Sequence, residues 1–142
     1  MNLIFILLTF ILQLLIPVQE TGQIELQISN TRSNRGIIRV LIFRDSDGFP
    51  EERSKAFQAL SLPVLDLKKK HSINELPPGK YALSIFHDED ENGEMRKNSL
   101  GYPLEKYGFS NNPKVLFSIP SFEKCAVQVG KGETKLLKIE LR

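Results

Sequence analysis

The sequence predicts an all-β protein, an antiparallel β-sandwich of about seven or eight short strands behind an N-terminal signal segment. Three observations carry this expectation. Apolar and polar residues alternate in several short runs, as with Ile24, Leu26 and Ile28 against Glu25 and Gln27, which is the period of a strand with one buried face. Pro, Gly, Asn and Asp punctuate the chain between those runs. After the N-terminal segment there is neither a long helical period nor a strand–helix–strand rhythm, which excludes a doubly wound fold.

Taken in order, residues 1–20 read as a signal peptide. They are apolar from residue 3 to residue 16 except at Thr9 and Gln13, and the run stops at Pro17. That is the length of a signal-peptide core and falls short of the roughly 20 residues of a membrane span. No Lys or Arg precedes the run and no A-x-A site precedes Glu20, so an uncleaved anchor is the competing expectation. Residues 21–142 are expected to form a single β-sandwich domain. No cysteine stands near the end of the apolar run to accept a lipid.

Strands are expected at QIELQIS (residues 23–29), IIRVLIF (37–43), PVLDL (63–67), HSINEL (71–76), YALSIFH (81–87), VLFSI (115–119), FEKCAVQV (122–129) and TKLLKIEL (134–141). The turn RDSDGFP follows the second, with Asp47 and Gly48 tolerating positive φ. The stretch from residue 51 to residue 60 fits a short helix or an irregular crossover, and residues 130–132 read as a hairpin turn.

Composition narrows the function. Nineteen Lys plus Arg against seventeen Asp plus Glu give a formal charge of +2, with the two signs interspersed, so nucleic acid is not an expected partner. Lys68, Lys69 and Lys70 form the densest basic run and read as a solvated turn. The lone Cys125 permits no intrachain disulfide, so stability must come from the core, and its CAVQV setting suits a small buried residue better than a reactive thiol.

In LPPGKY (residues 76–81), two prolines that cannot donate to a sheet and a glycine turn the chain before Tyr81 opens the next strand. The phrase resembles the one that introduces a central strand in transthyretin-like and carboxypeptidase-regulatory-like sandwiches, including collagen-adhesin B-type domains. The resemblance implies an Ig-like/transthyretin-like architecture.

That strand empties into an acidic loop. Asp88, Asp90 and Asn92 are spaced by two and followed by Gly93, the opening of a calcium loop whose glycine allows the turn that wraps oxygens around a hard cation. The closure is missing: the twelfth position is Ser99 and the ninth is Arg96. The favoured reading is a solvated hairpin turning at Asn92-Gly93, with Asp side chains capping local amides. Weak Ca²⁺ binding by Asp88, Asp90, Asn92 and Glu94 is the second reading, and no cofactor is required. Only His87 offers a nitrogen ligand nearby, which disfavours a transition metal.

Residues 101–112, GYPLEKYGFSNN, concentrate aromatics, glycines and amides without strand alternation. The candidate ligand-binding residues are His87, Tyr102, Glu105, Tyr107, Phe109 and Asn111, in the mix that binding loops present to sugars or peptides. A loop packed by its own aromatics competes and is favoured. His87 is expected to clamp the loop if buried, through Glu105 or a backbone carbonyl.

The segments FHDxxxNG (residues 86–93), LGxPxExYGFSNN (100–112) and PSFE (120–123) together resemble a bacterial domain of unknown function, family 2141. The resemblance covers nearly all of the chain from Ile24 onward. It implies an exported small β-sandwich without an assigned activity, and often an Asp where this chain has Arg96. The preferred expectation is a non-enzymatic binding or envelope-associated module, periplasmic or secreted, that uses the acidic 87–98 loop and the aromatic 101–112 loop. Its partner would be a protein or carbohydrate, with membrane contact only through residues 1–20 if these are uncleaved. The rival is a metal-dependent or hydrolytic enzyme using His87, Asp88 and Glu105. Neighbouring strand residues point to opposite faces, which argues against His87 and Asp88 acting as base and orienter.

Overall fold

The structure, a computed structural model, describes residues 20–115 and 118–142. The apolar run of residues 3–16 lies outside them. Among the described residues the strands are β1 (Gly22–Ser29), β2 (Ile37–Phe43), β3 (Gln58–Pro63), β4 (His71–Leu76), β5 (Gly79–Asp88), β6 (Tyr107–Phe109), β7 (Val127–Val129) and β8 (Thr134–Glu140), with one helical turn, α1 (Phe122–Cys125). They form two sheets, ordered β4-β1-β8 and β3-β2-β5-β6, with β7 also paired to β5.

All pairings are antiparallel except β1 with β8. These two strands come from opposite ends of the sandwich sequence, so no short turn forces them to run in opposite directions. The sandwich core joins their inward faces: Ile24, Leu26 and Ile28 from β1, Ile38, Val40 and Ile42 from β2, Leu83 and Ile85 from β5, and Leu137 and Ile139 from β8 are all buried. Each such side chain contributes about 1.5–3 kcal/mol when taken fully from water. The expected alternation therefore becomes the core directly.

At one edge the two sheets are tied together. The Arg142 amide donates to the Tyr107 carbonyl at 2.9 Å, and the Tyr107 amide donates back at 3.2 Å. Gly108 makes this approach feasible, because a Cβ there would stand 2.9 Å from Ile139 Cγ2 and 3.1 Å from a Leu141 methyl.

Several expectations from the sequence are corrected. The strand expected at PVLDL is the 3-10 turn Val64–Lys68, preceded by β3. β3 pairs with β2 from Ile42↔Gln58 to Ile37↔Pro63, and Pro63, having no N–H, ends the ladder. The crossover of residues 51–60 is thus a 3-10 turn at Arg53–Lys55 and then the first half of that strand. FEKCAVQV splits into α1 and β7, because Phe122 and Cys125, three apart, both bury in a second cluster with Phe43, Ala82 and Phe109. Residues 130–132 make a turn, with the Glu133 amide donating to the Gly130 carbonyl, but not a hairpin: β7 pairs with β5 and β8 with β1, so the chain changes sheets there. Finally, residues 101–112 contain β6. The centre of the strand expected at residues 115–119 falls outside the described residues, and Val115, Ser118 and Ile119 are not in strand.

Candidate functional site

β2 and β5 are apolar on both faces, and the second face builds the site. With the core on one side, alternation sends Arg39 and Leu41 from β2 and Ser84 and Phe86 from β5 to the other. A cleft of about 550 Å³ opens over that outer face, lined by Leu41, Phe86, Tyr107 and Phe109. The Tyr107 and Phe109 rings pack edge to face with centroids 5.9 Å apart. One wall carries Pro50, Glu51 and Arg53, and the other carries Gly93 to Met95, Lys97 and Leu100 to Pro103. Leu100 is 79% exposed and Tyr102 57%, so large apolar side chains stand in water at the rim.

The second wall is a small hairpin. The Leu104 amide donates to the Arg96 carbonyl at 2.8 Å and the Asn98 amide to the Tyr102 carbonyl at 2.9 Å. The Asn98 side chain accepts from the Leu100 and Tyr102 amides, both at 2.9 Å, as an Asx turn does. Lys97 reaches the opposite wall, donating to both carboxylate oxygens of Glu51 at 2.7 and 2.9 Å.

Behind that hairpin lies a group of carboxylates. Asp88 is fully buried. Its Oδ2 accepts from Arg39 Nε at 2.8 Å and from the Gly93 amide at 2.9 Å, and its Oδ1 from the Asn92 amide at 3.1 Å. Burial pushes the Asp88 carboxyl up, but the Arg39 hydrogen bond, the Gly93 amide and the Arg39 charge outweigh it and hold the group below its ordinary value. Glu105, also buried, accepts from the Arg96 amide at 3.1 Å and from the Glu89 amide at 3.4 Å. One oxygen each from Asp88, Asp90 and Glu105 lie within 4.8 Å of one another. Arg96 Nε stands 3.5 Å from both Asp90 and Glu105, so a tethered cation already occupies the neighbourhood. Glu94 is not part of this group, and Asn92 Oδ1 accepts from the Glu94 amide at 2.8 Å.

His87 is buried on the other face of β5, beneath residues 30–36. Its Nε2 lies 2.7 Å from the Arg35 carbonyl and its Nδ1 accepts from the Arg32 amide at 3.3 Å. A carbonyl only accepts and an amide only donates, so these partners select the neutral tautomer protonated on Nε2. The ring clamps a loop through a backbone carbonyl, and the loop is residues 30–36. It does not meet Glu105.

A bacterial family described as "Uncharacterized protein conserved in bacteria (DUF2141)" matches residues 26–136. The chain belongs to the DUF2141 family. No curated protein and no solved structure matches it.

Placed on this DUF2141 chain, the residues singled out from sequence separate into three groups. Tyr102, Tyr107 and Phe109 meet at the cleft. Asp88, Asp90 and Glu105 meet in the carboxylate group. Glu94 lines the cleft instead, Asn92 caps the Glu94 amide, and His87 and Asn111 stand apart from both sites. The Asn111 amide donates to the Lys124 and Ala126 carbonyls at 3.3 and 2.9 Å. Its neighbours do similar work: Ser110 Oγ accepts from the Leu83 amide at 2.8 Å and donates to the Cys125 carbonyl at 2.6 Å. Asn112 donates to the Lys138 carbonyl at 2.7 Å and accepts from the Glu140 amide at 2.9 Å. Sequence reasoning missed Leu41, Phe86 and Lys97. The signal for the first two was present, since IIRVLIF and YALSIFH are too apolar for strands with a solvated outer face.

Proposed function

We propose that this DUF2141 chain is a non-enzymatic binding module and that its ligand sits in the cleft between the 44–57 turn and the 96–104 hairpin. The supporting observation is the cleft itself. Its volume of about 550 Å³ lies in the range of small-molecule sites, Phe86, Tyr102, Tyr107 and Phe109 put aromatic rings in its lining, and unspent apolar side chains stand at its rim. A ligand with a flat apolar face and peripheral hydrogen-bonding groups, such as a carbohydrate ring, fits aromatic surfaces beside Arg53, Glu51 and Glu94. Export follows from reading residues 1–20 as a signal segment, so the ligand would be met in the periplasm or outside the cell. Among the described residues no helix is long and apolar enough to cross a membrane.

Binding is preferred over hydrolysis by His87, Asp88 and Glu105 because His87 and Asp88 occupy opposite faces of β5, His87 being committed to backbone groups and Asp88 to Arg39 and two amides. A second reading, weak Ca²⁺ binding, draws on the convergence of Asp88, Asp90 and Glu105, with Glu105 in the place that sequence gave to Asn92 and Glu94. Two of the three tyrosines, Tyr102 and Tyr107, line the cleft, and the chain has no tryptophan. Tyrosine emission during titration with a panel of soluble oligosaccharides is therefore the direct test. A saturable change that Tyr102→Ala and Phe86→Ala abolish supports the reading, and a panel without saturable change removes the carbohydrate ligand.

A further inference from the structure

We propose that residues 96–104 form a flap over the cleft, latched by the Lys97–Glu51 ion pair, that opens to admit a ligand whose ring presents a flat apolar face. This rests on the cleft being the binding site. The hairpin is internally paired from Arg96–Leu104 to Asn98–Tyr102, and Asn98 closes its tip through two further amides, so it can swing without losing its own hydrogen bonds.

Its base is held and its tip is not. At the base the Arg96 amide is bound by the buried Glu105 carboxylate, and the Gly93 amide, just before it, is bound by the buried Asp88 carboxylate, so the hairpin is anchored on its N-terminal side and any swing pivots at that base. At the tip Leu100 and Tyr102 carry large apolar surface into water. Among the described residues, the ion pairs and side-chain hydrogen bonds that join the flap to the 44–57 wall are those of Lys97 with Glu51. An exposed pair of this kind shifts an equilibrium by only about two- to five-fold and is weakened by salt. It is strong enough to bias the flap shut and weak enough to break repeatedly. Beneath it lie Phe86 and Tyr107, whose rings, together with Tyr102 at the rim, offer stacking and edge contacts to a ligand ring.

The test has one arm with a ligand and one without. In the first, stopped-flow fluorescence follows 8-anilinonaphthalene-1-sulfonate entering wild type, Lys97→Met and Glu51→Gln. At low salt both variants should bind and release the probe about two- to five-fold faster than wild type. Raising the salt to about 0.5 M should bring wild type to their rates and leave theirs unchanged. In the second arm, backbone ¹⁵N relaxation dispersion without ligand should show exchange across residues 96–104 that Lys97→Met and Glu51→Gln shift alike. Equal probe rates in all three proteins, or no exchange in the hairpin, overturns the flap. Failure of the probe to bind wild type, or binding indifferent to Phe86→Ala, instead overturns the cleft as the binding site, and the dispersion arm still decides whether the hairpin moves.

Discussion

Asp88 and Ser110 show how single buried polar groups hold this sandwich together. Asp88 is a carboxylate removed from water, tolerable because Arg39 and two loop amides satisfy it. Its folded-state value lies below the ordinary carboxylate value, so its stabilisation is fully present above the unfolded value of about 3.9 and is lost as the pH falls through the folded value. Asp88→Asn is expected to cost about 1–3 kcal/mol near neutrality. Urea unfolding across the acid range checks this, and the gap between the two proteins should narrow below about pH 4. Ser110 bridges the Leu83 amide and the Cys125 carbonyl in a dry setting. Ser110→Ala leaves both unpaired and should cost about 1–3 kcal/mol at any pH, read from the same unfolding curves.

At the scale of elements, the connection between β5 and β6 is organised around charge. Asp90 and Glu105 both approach Arg96, and the arginine does for these carboxylates part of what a divalent ion would do. Arg96→Asp should therefore convert the group into a cation site, with calorimetry showing heat of Ca²⁺ binding. In wild type any Ca²⁺ affinity should be weaker and no tighter than the order of 10⁻⁴–10⁻³ M of extracellular modules. If neither protein takes up calcium at millimolar concentration, the loop is held by its hydrogen bonds and arginine ion pairs without a metal. The turn between β7 and β8 is the other decisive element. By carrying the chain from one sheet to the other, it brings β8 beside β1 and closes the core with Leu137 and Ile139.

For the molecule as a whole, cohesion comes from two apolar clusters, one between the sheets and one on the outer face around Phe43, Phe109 and Phe122. Cys125 belongs to the second. Burial pushes its thiol up to about 11, against a smaller lowering by Lys124, so at pH 8 the thiolate is scarce and enclosed. Ellman's reagent should leave the native protein unlabelled and modify one thiol per chain in guanidinium. Rapid labelling of native protein would mean that the outer cluster opens readily.

The sequence by itself determined the all-β class, the places of five strands, the absence of an intrachain disulfide, and the capping of loop amides by Asp side chains, although the hairpin expected to turn at Asn92-Gly93 is paired across residues 96–104. Each rests on a local rule, since alternation, turn chemistry and a short polar side chain act within a few residues. Only the tertiary structure decided that PVLDL is a turn, that Phe122 opens a helical turn, and that β7 and β8 part company, because distant partners outvote local pattern there. The roles of the polar loop residues were hidden for the same reason. Asn111 looks like a ligand contact in sequence and ties two carbonyls of α1 and its exit in space. Glu105 becomes a neighbour of Asp88 only when the loop between them folds back. The cleft was half visible, in outward Leu41 and Phe86, but its shape depends on two loops more than thirty residues apart in the chain meeting over one sheet.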